Sequence, residues 1–239
     1  MVNLKENIVE IKNCMVSYEH FENGEKFQNT IFNNINCSFK RGGFYFLTGP
    51  SGSGKSTFIK LIYGEIKPLK GELSVFGKDF SNLSEDSISM IRQRMGIIFQ
   101  DCKLIPHLNI LNNVAVPLLI QNYSENQSRK YAEEILHWVG LKNYLNYLPE
   151  MLSHGQKQRV AIARAVISKP DLLLADEPTG SIDCDNAYRI IHLFEELCKN
   201  GTTVILATHN KKLARNFKNK EISIYEGEIK INDGCKRHV

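Results

Sequence analysis

No run of apolar residues in this chain approaches 18; the longest is VAVPLLI at 114–120, too short for a membrane-spanning helix. There is no lysine and arginine block long enough to form a nucleic-acid stripe, and the formal net charge of +4 is mild, so no nucleic-acid partner is expected. The six cysteines, at 14, 37, 102, 184, 198 and 235, include no C-x-x-C and no metal-ligand spacing. Reduced thiols in the cytoplasm are the expectation. The opening residues MVNLKENIVEI are charged early and lack an apolar signal core, so no secretory leader is expected. Residues 236–238, KRH, read as a solvated basic end. Long linkers, internal repeats and low-complexity segments are missing too. What remains is ordinary globular composition, 42% hydrophobic and 23% charged over 239 residues. That is enough for one large α/β domain or a core carrying a helical insertion.

Against that plain background, residues 49–56 read GPSGSGKS and fit G-x-x-x-x-G-K-[ST]. Gly49, Pro50, Ser51, Gly52, Ser53 and Gly54 form the loop, and Lys55, Ser56 and Thr57 open a helix. Backbone N–H groups converging at a helix start, with the positive end of its dipole, suit the β- and γ-phosphates of a nucleotide. Lys55 adds a point charge between those phosphates, and the Ser56 hydroxyl suits Mg²⁺. FYFLT before Gly49 has the pattern of a buried strand, and 56–63 is helix-like.

Residues 8–47 look β-rich and antiparallel, with a polar turn at Asn23 and Gly24 and FYFLT as the strand that feeds the loop. The helix after the loop should end near Gly64, a short strand GELSVFG follows at 71–77, and Ser84 should cap a helix through Arg94. GIIFQ at 96–100 reads as a buried strand. Residues 103–150 then turn helical, as an insertion between two strands of the core. After it come a helix from Ser153 to about 168, the strand DLLLA, a helix over 185–199 and the strand TTVILATH at 202–209. A short helix from Lys211 and two closing strands end the chain. Alternating strands and helices imply an α/β fold with a mostly parallel sheet, helices on both its faces, and phosphate chemistry at the carboxyl ends of its strands.

Those strand ends carry the candidate chemistry. LLLADEP places Asp176 at the end of a core strand, suited to Mg²⁺, and Glu177 next to it, suited to orienting or deprotonating a water. TTVILATH ends in His209, which suits a γ-phosphate contact; a lone histidine at a strand end is more often structural. Gln100 ends GIIFQ and either ligates Mg²⁺ or the lytic water, or sits idle on the surface.

The order and approximate spacing of the phosphate loop, Gln100, LSHGQ, the ADE strand end, the Ser181-Ile182-Asp183 turn and His209 resemble the ATP-binding-cassette (ABC) ATPases over essentially the whole chain. That resemblance implies one ABC ATP-binding domain over 1–239, with an N-terminal antiparallel β subdomain and a helical subdomain from about 103 through the signature helix. It implies ATP and Mg²⁺ as ligands. It makes LSHGQ the signature, with Ser153, Gly155 and Gln156 binding the nucleotide of a second copy in a head-to-tail homodimer. A loose phosphoryl transition state needs positive potential at its equatorial oxygens, and no arginine finger is evident in this chain, so help from a second copy makes physical sense. Tyr18 matches the aromatic position that stacks on adenine, though it lies farther before Lys55 than usual, and Phe21 is the alternative. His154 stands where the family usually has glycine; it is either tolerated variation or an extra donor near the γ-phosphate.

Within the family, GGFYFLTGPSGSGKST, GIIFQDCKLIPHLNILNNVAVPL and KPDLLLADEPTGSID are most similar to the bacterial cell-division ATPases of the FtsE type. The ATPases of lipoprotein-release (Lol) exporters share a related NVAxPLL phrase and are the alternative. The FtsE likeness implies an integral membrane partner of the FtsX type and a peripheral position on the cytoplasmic side of the bacterial inner membrane. Leu104, Ile105, Pro106, Leu108, Ile110 and Leu111 form an apolar cluster at the start of the insertion. Part of it is expected to make a groove for a cytoplasmic helix of that partner.

Overall fold

The computed structural model describes residues 6–22, 25–80, 83–180, 182–210, 214, 217 and 219–232; for 20–22, 25–26, 184 and 232 it describes the backbone only. The expected turn at Asn23 and Gly24, the Phe21 side chain, Ser181, the start of the short helix at Lys211 and the basic end lie outside what is described.

The chain begins with two long strands, β1 (Asn7–Glu22) and β2 (Glu25–Lys40), then β3 (Phe44–Thr48) and α1 (Lys55–Tyr63). Next come β4 (Lys70–Val75), β5 (Lys78–Asp79), α2 (Glu85–Arg92) and β6 (Met95–Ile98). Two helices follow, α3 (Ile110–Ile120) and α4 (Glu125–Trp138), then α5 (His154–Val166) and β7 (Leu172–Asp176). The rest is α6 (Cys184–Lys199), β8 (Thr203–Thr208), β9 (Lys220–Tyr225) and β10 (Glu228–Asn232).

The central sheet has the order β10-β9-β3-β8-β7-β6. Its pairs are parallel except β10 on β9. All five residues of β3 are buried. Phe44 and Phe46 point into one cluster and Tyr45 and Leu47 into another, the double-sided burial that a parallel strand requires. One face packs on α5 and α6 through Ala161, Ile162, Ala165, Ile190, Ile191 and Phe194. The other face also meets helices, with Ile88 and Ile91 of α2 in its cluster. It packs on α1, and α1 in turn is covered by a second sheet with the order β2-β1-β4-β5. Phe58 of α1 joins them, its ring centroid 6.1 Å from Phe32 and 6.0 Å from Phe39, both on β2. So the antiparallel sheet is completed by β4 and β5, which follow the phosphate loop in sequence.

The segment between β6 and β7 has its own apolar cluster, made by Ile110, Val114, Ala115, Ala132, Leu136 and Leu141 with Val160 and Ala163 of α5. The expected apolar cluster divides here. Ile110 and Leu111 are core, Leu104 packs against two clusters, and Ile105, Pro106 and Leu108 keep exposed surface. The loop they occupy is organised by Asn113, fully buried, whose side-chain amide donates to the carbonyls of Ile105 at 3.0 Å and Leu108 at 2.8 Å. Its Oδ1 accepts from the Ile105 N–H at 2.8 Å.

Candidate active site

β3 ends at Thr48, and the chain turns through residues 49–54 directly into α1. Gly54, the residue before the helix, has φ 100°, a left-handed conformation; a Cβ there would also press on Ile31 and Phe32 at 2.9 Å. The loop therefore needs glycine for two separate reasons. Lys55 is buried to 8% exposure, and its ammonium donates to the carbonyls of Gly49 at 2.9 Å and Pro50 at 3.0 Å. That folds the charge over the mouth of the loop, beside the free N–H groups of the first turn of α1. Thr57 follows on that turn, half-buried.

Because β3, β6, β7 and β8 run parallel, their carboxyl ends share one edge of the sheet. There a cleft of about 350 Å³ is lined by Ser51, Gly52, Lys55, Ser56, Gln100, His154, Gln158, Asp176, Glu177, Gly180 and His209. Four sequence candidates from three segments, Gln100, Asp176, Glu177 and His209, thus face one space with the phosphate loop. Burial lifts the Asp176 carboxyl above its usual pKa, the Ser56 hydroxyl bonded to it pulls it down, and the charge of Glu177 pushes it up. Glu177 has φ 50°, an unusual backbone for a side-chain-bearing residue that costs on the order of 1 kcal/mol. The turn aims its carboxylate at His209: Oε1 accepts the His209 backbone N–H and lies against Nδ1, each at 2.9 Å.

Sequence reasoning missed how α5 holds this site. Gln158 is 2% exposed, and its Nε2 donates to the Glu177 carbonyl at 2.7 Å. Arg164 donates to the carbonyls of Cys102 and Lys103, both at 2.8 Å, and these two residues have φ of 61° and 39°. Both side chains sit inside the string KQRVAIARA, where they look like routine polar positions of an amphipathic helix. The close approach of α5 to β6 was legible only as Gly96, where a Cβ would collide with the Ala165 carbonyl.

Ser153 caps α5. Its hydroxyl oxygen accepts the Gln156 N–H at 3.3 Å, and Gln156 Oε1 accepts the Ser153 N–H at 2.8 Å, a reciprocal capping box. Neither residue, nor Gly155, lines the cleft; among the signature residues His154 does. Tyr18, 39% exposed on β1, lines neither this cleft nor a second one of about 460 Å³ on the other side of the phosphate loop. That second cleft runs between Asn29, Thr30, Ile31 and Asn33 of β2, residues 50–53 and the 225–227 turn.

A parallel sheet that delivers a glycine loop, a lysine, a hydroxyl, two carboxylates and a histidine to one edge defines a P-loop nucleoside triphosphatase. The ABC transporter family model matches residues 32–180. The FtsE cell-division ATP-binding protein of Bacillus subtilis (strain 168) is 40% identical over 212 residues, 89% of this chain and 91% of that protein. Its namesake in Escherichia coli (strain K12) is 36% identical, over 90% of this chain and 97% of the relative. The ATP-binding cassette MJ0796, solved as a dimer in a post-hydrolysis state bound to ADP and phosphate, superposes with a TM-score of 0.86 at 35% identity, covering 94% of this chain and 97% of that one. The chain belongs to the ABC family of ATP-binding subunits, and it is an ATPase.

Proposed function

We propose that this chain is the ATPase of an FtsE-type cell-division complex, working as a head-to-tail dimer on an integral membrane subunit of the FtsX type. The observation that carries the chemistry is the placement of the Glu177 carboxylate. It lies in the same cleft as Lys55 and Ser56, oriented by His209 and flanked by Asp176. The loop N–H groups and Lys55 hold the β- and γ-phosphates of ATP. Glu177 accepts the proton of the attacking water, and His209 keeps that carboxylate aimed while contacting the γ-phosphate edge. Gln100 fixes the water or the cation from the loop after β6. An oxygen-rich pair fits a hard cation here: Asp176 is desolvated and bonded to the Ser56 hydroxyl, so a divalent ion would compensate its burial. Held by Ser56, Asp176 and Gln100, Mg²⁺ would supply charge neutralisation for the phosphates.

The signature segment faces the second copy. The Ser153 hydroxyl accepts the capping bond through a lone pair, which leaves its own O–H to donate to a partner-bound γ-phosphate, alongside the Gly155 N–H and the Gln156 side chain. Tyr18, or Phe21 as its alternative, offers the adenine platform. The residues form one ABC domain over 1–239, with the helical subdomain from about 103 through α5. Among the described residues no helix is long and apolar enough to cross a membrane. The peripheral position at the inner face of the bacterial inner membrane therefore depends on the partner, which meets the exposed part of the 104–108 loop.

Affinity purification of the tagged chain from its own cells tests this reading. An integral membrane protein of the FtsX type should co-purify, and depletion should stop division. Lipoprotein retention without a division defect would overturn the cell-division assignment.

A further inference from the structure

Helix α5 reaches the cleft with two residues, His154 and, four positions on, Gln158. Gln158 is the better anchored: buried, with its amide 2.7 Å from the Glu177 carbonyl oxygen. Glu177 sits in a left-handed conformation, so the direction of its carboxylate is set by a backbone that has to be held there. Its N–H donates to the Ala207 carbonyl at 3.0 Å, which fixes the entry side of the residue to β8. The exit side is fixed by what its carbonyl accepts: the Gln158 amide at 2.7 Å and, at a longer 3.3 Å, the Gly180 N–H.

We propose that Gln158 is a positioning residue for Glu177: from the helix that begins at the signature, its amide locks the carbonyl of the base and so aims the carboxylate at the attacking water. The proposal deepens the reading of Glu177 as the general base and rests on it. Without the amide, only the longer Gly180 bond holds the exit side, so the Glu177 peptide relaxes toward an ordinary conformation and the carboxylate swings off the line set by His209. Substrate binding does not need that line, because the phosphate loop and Lys55 hold the nucleotide independently. Loss of Gln158 should therefore appear in turnover and not in affinity.

The test uses the full chain in the assembly that hydrolyses ATP. Gln158→Met keeps length and volume and removes the donor; Gln158→Asn keeps the amide but withdraws it by one methylene. Both should lower kcat by about tenfold or more, with the KM for ATP and the equilibrium affinity for ATP within about twofold of wild type. The asparagine variant carries the test if the methionine variant fails to fold. Glu177→Gln runs beside them. Wild-type kcat in the Gln158 variants with an inactive Glu177→Gln overturns the role of Gln158 alone. An equal loss of ATP affinity and kcat overturns it as well, since that marks general damage. An active Glu177→Gln overturns the base assignment instead.

Discussion

His209 grips Glu177 with two atoms: its backbone N–H and its Nδ1 both lie 2.9 Å from the same carboxylate oxygen, Oε1. The Glu177 side chain is largely buried, 15% exposed, while the His209 ring is 66% exposed. The histidine thus spans from the sealed carboxylate to the open cleft, with Nδ1 turned to Glu177 and the rest of the ring facing the cleft.

This grip makes Glu177→Gln a clean probe. The amide oxygen still accepts the His209 N–H, so the geometry survives, but the proton acceptor is gone. ATP should bind with near-normal affinity while turnover falls about 10²-fold or more. A dimer should then accumulate with ATP and Mg²⁺, visible by size-exclusion chromatography. A wild-type rate in the active assembly would exclude Glu177 as the base.

Asp176 sets a pH-dependent stability. Burial is the largest influence on it and raises its pKa in the folded protein. A carboxyl whose folded pKa lies above its unfolded value of about 3.9 binds more protons when folded. Its ionisation therefore costs stability, with no cost below the unfolded value and the full cost above the folded one. Asp176→Asn removes that cost and keeps an acceptor for Ser56. In EDTA at neutral pH the variant should melt above wild type, with the gap closing toward about pH 4, although ATP hydrolysis is lost. A lower melting temperature at neutral pH would show that the carboxylate is not strained there.

Lys55 and Ser153 should separate binding from turnover. Lys55→Ala removes the ammonium from the loop mouth and should weaken ATP binding by the monomer. Ser153→Ala should leave that affinity near normal and impair hydrolysis by the dimer. It also removes the cap of α5 at a cost of about 1 kcal/mol, so Ser153→Asn, which caps without the hydroxyl, is the matched control. Equal loss of monomer affinity in Lys55→Ala and Ser153→Ala, read by nucleotide titration, would rule out a signature that acts in trans.

Recruitment to the membrane should depend on the loop that Asn113 organises. Leu104 packs against two clusters, so a charge there should unfold the segment, and it is a poor probe of docking. Leu108 keeps exposed surface and belongs to neither cluster. Leu108→Glu should abolish co-purification with the membrane subunit while ATP affinity and melting temperature stay close to wild type. Undiminished recruitment would move the docking site elsewhere.

Local chemistry was readable from the chain. The phosphate loop, the strand-terminal Asp176 and the caps Ser84 and Ser153 each depend on a few adjacent residues, and each of these elements lies within a few residues of its expected place. The helix from Ser84 ends at Arg92 and the one from Ser153 at Val166, each about two residues early, because helix ends depend on what packs beside them. Which element lies over α1 was not legible for a related reason: periodicity reports that a face is buried, not whether a helix or a second sheet covers it.

Sequence alone picked out the candidate groups of the site, because motifs that bind phosphate through contiguous backbone leave a contiguous trace. Only the tertiary structure decided how those groups are held. Gln158 is separated from Glu177 by 19 positions and Arg164 from Cys102 by 62, and their hydrogen bonds exist because α5 lies flat against β6 over Gly96. A glutamine that orients a base and one that faces water are the same letter in a polar run. Burial and the approach of two distant segments make the difference, and both are properties of the packed fold.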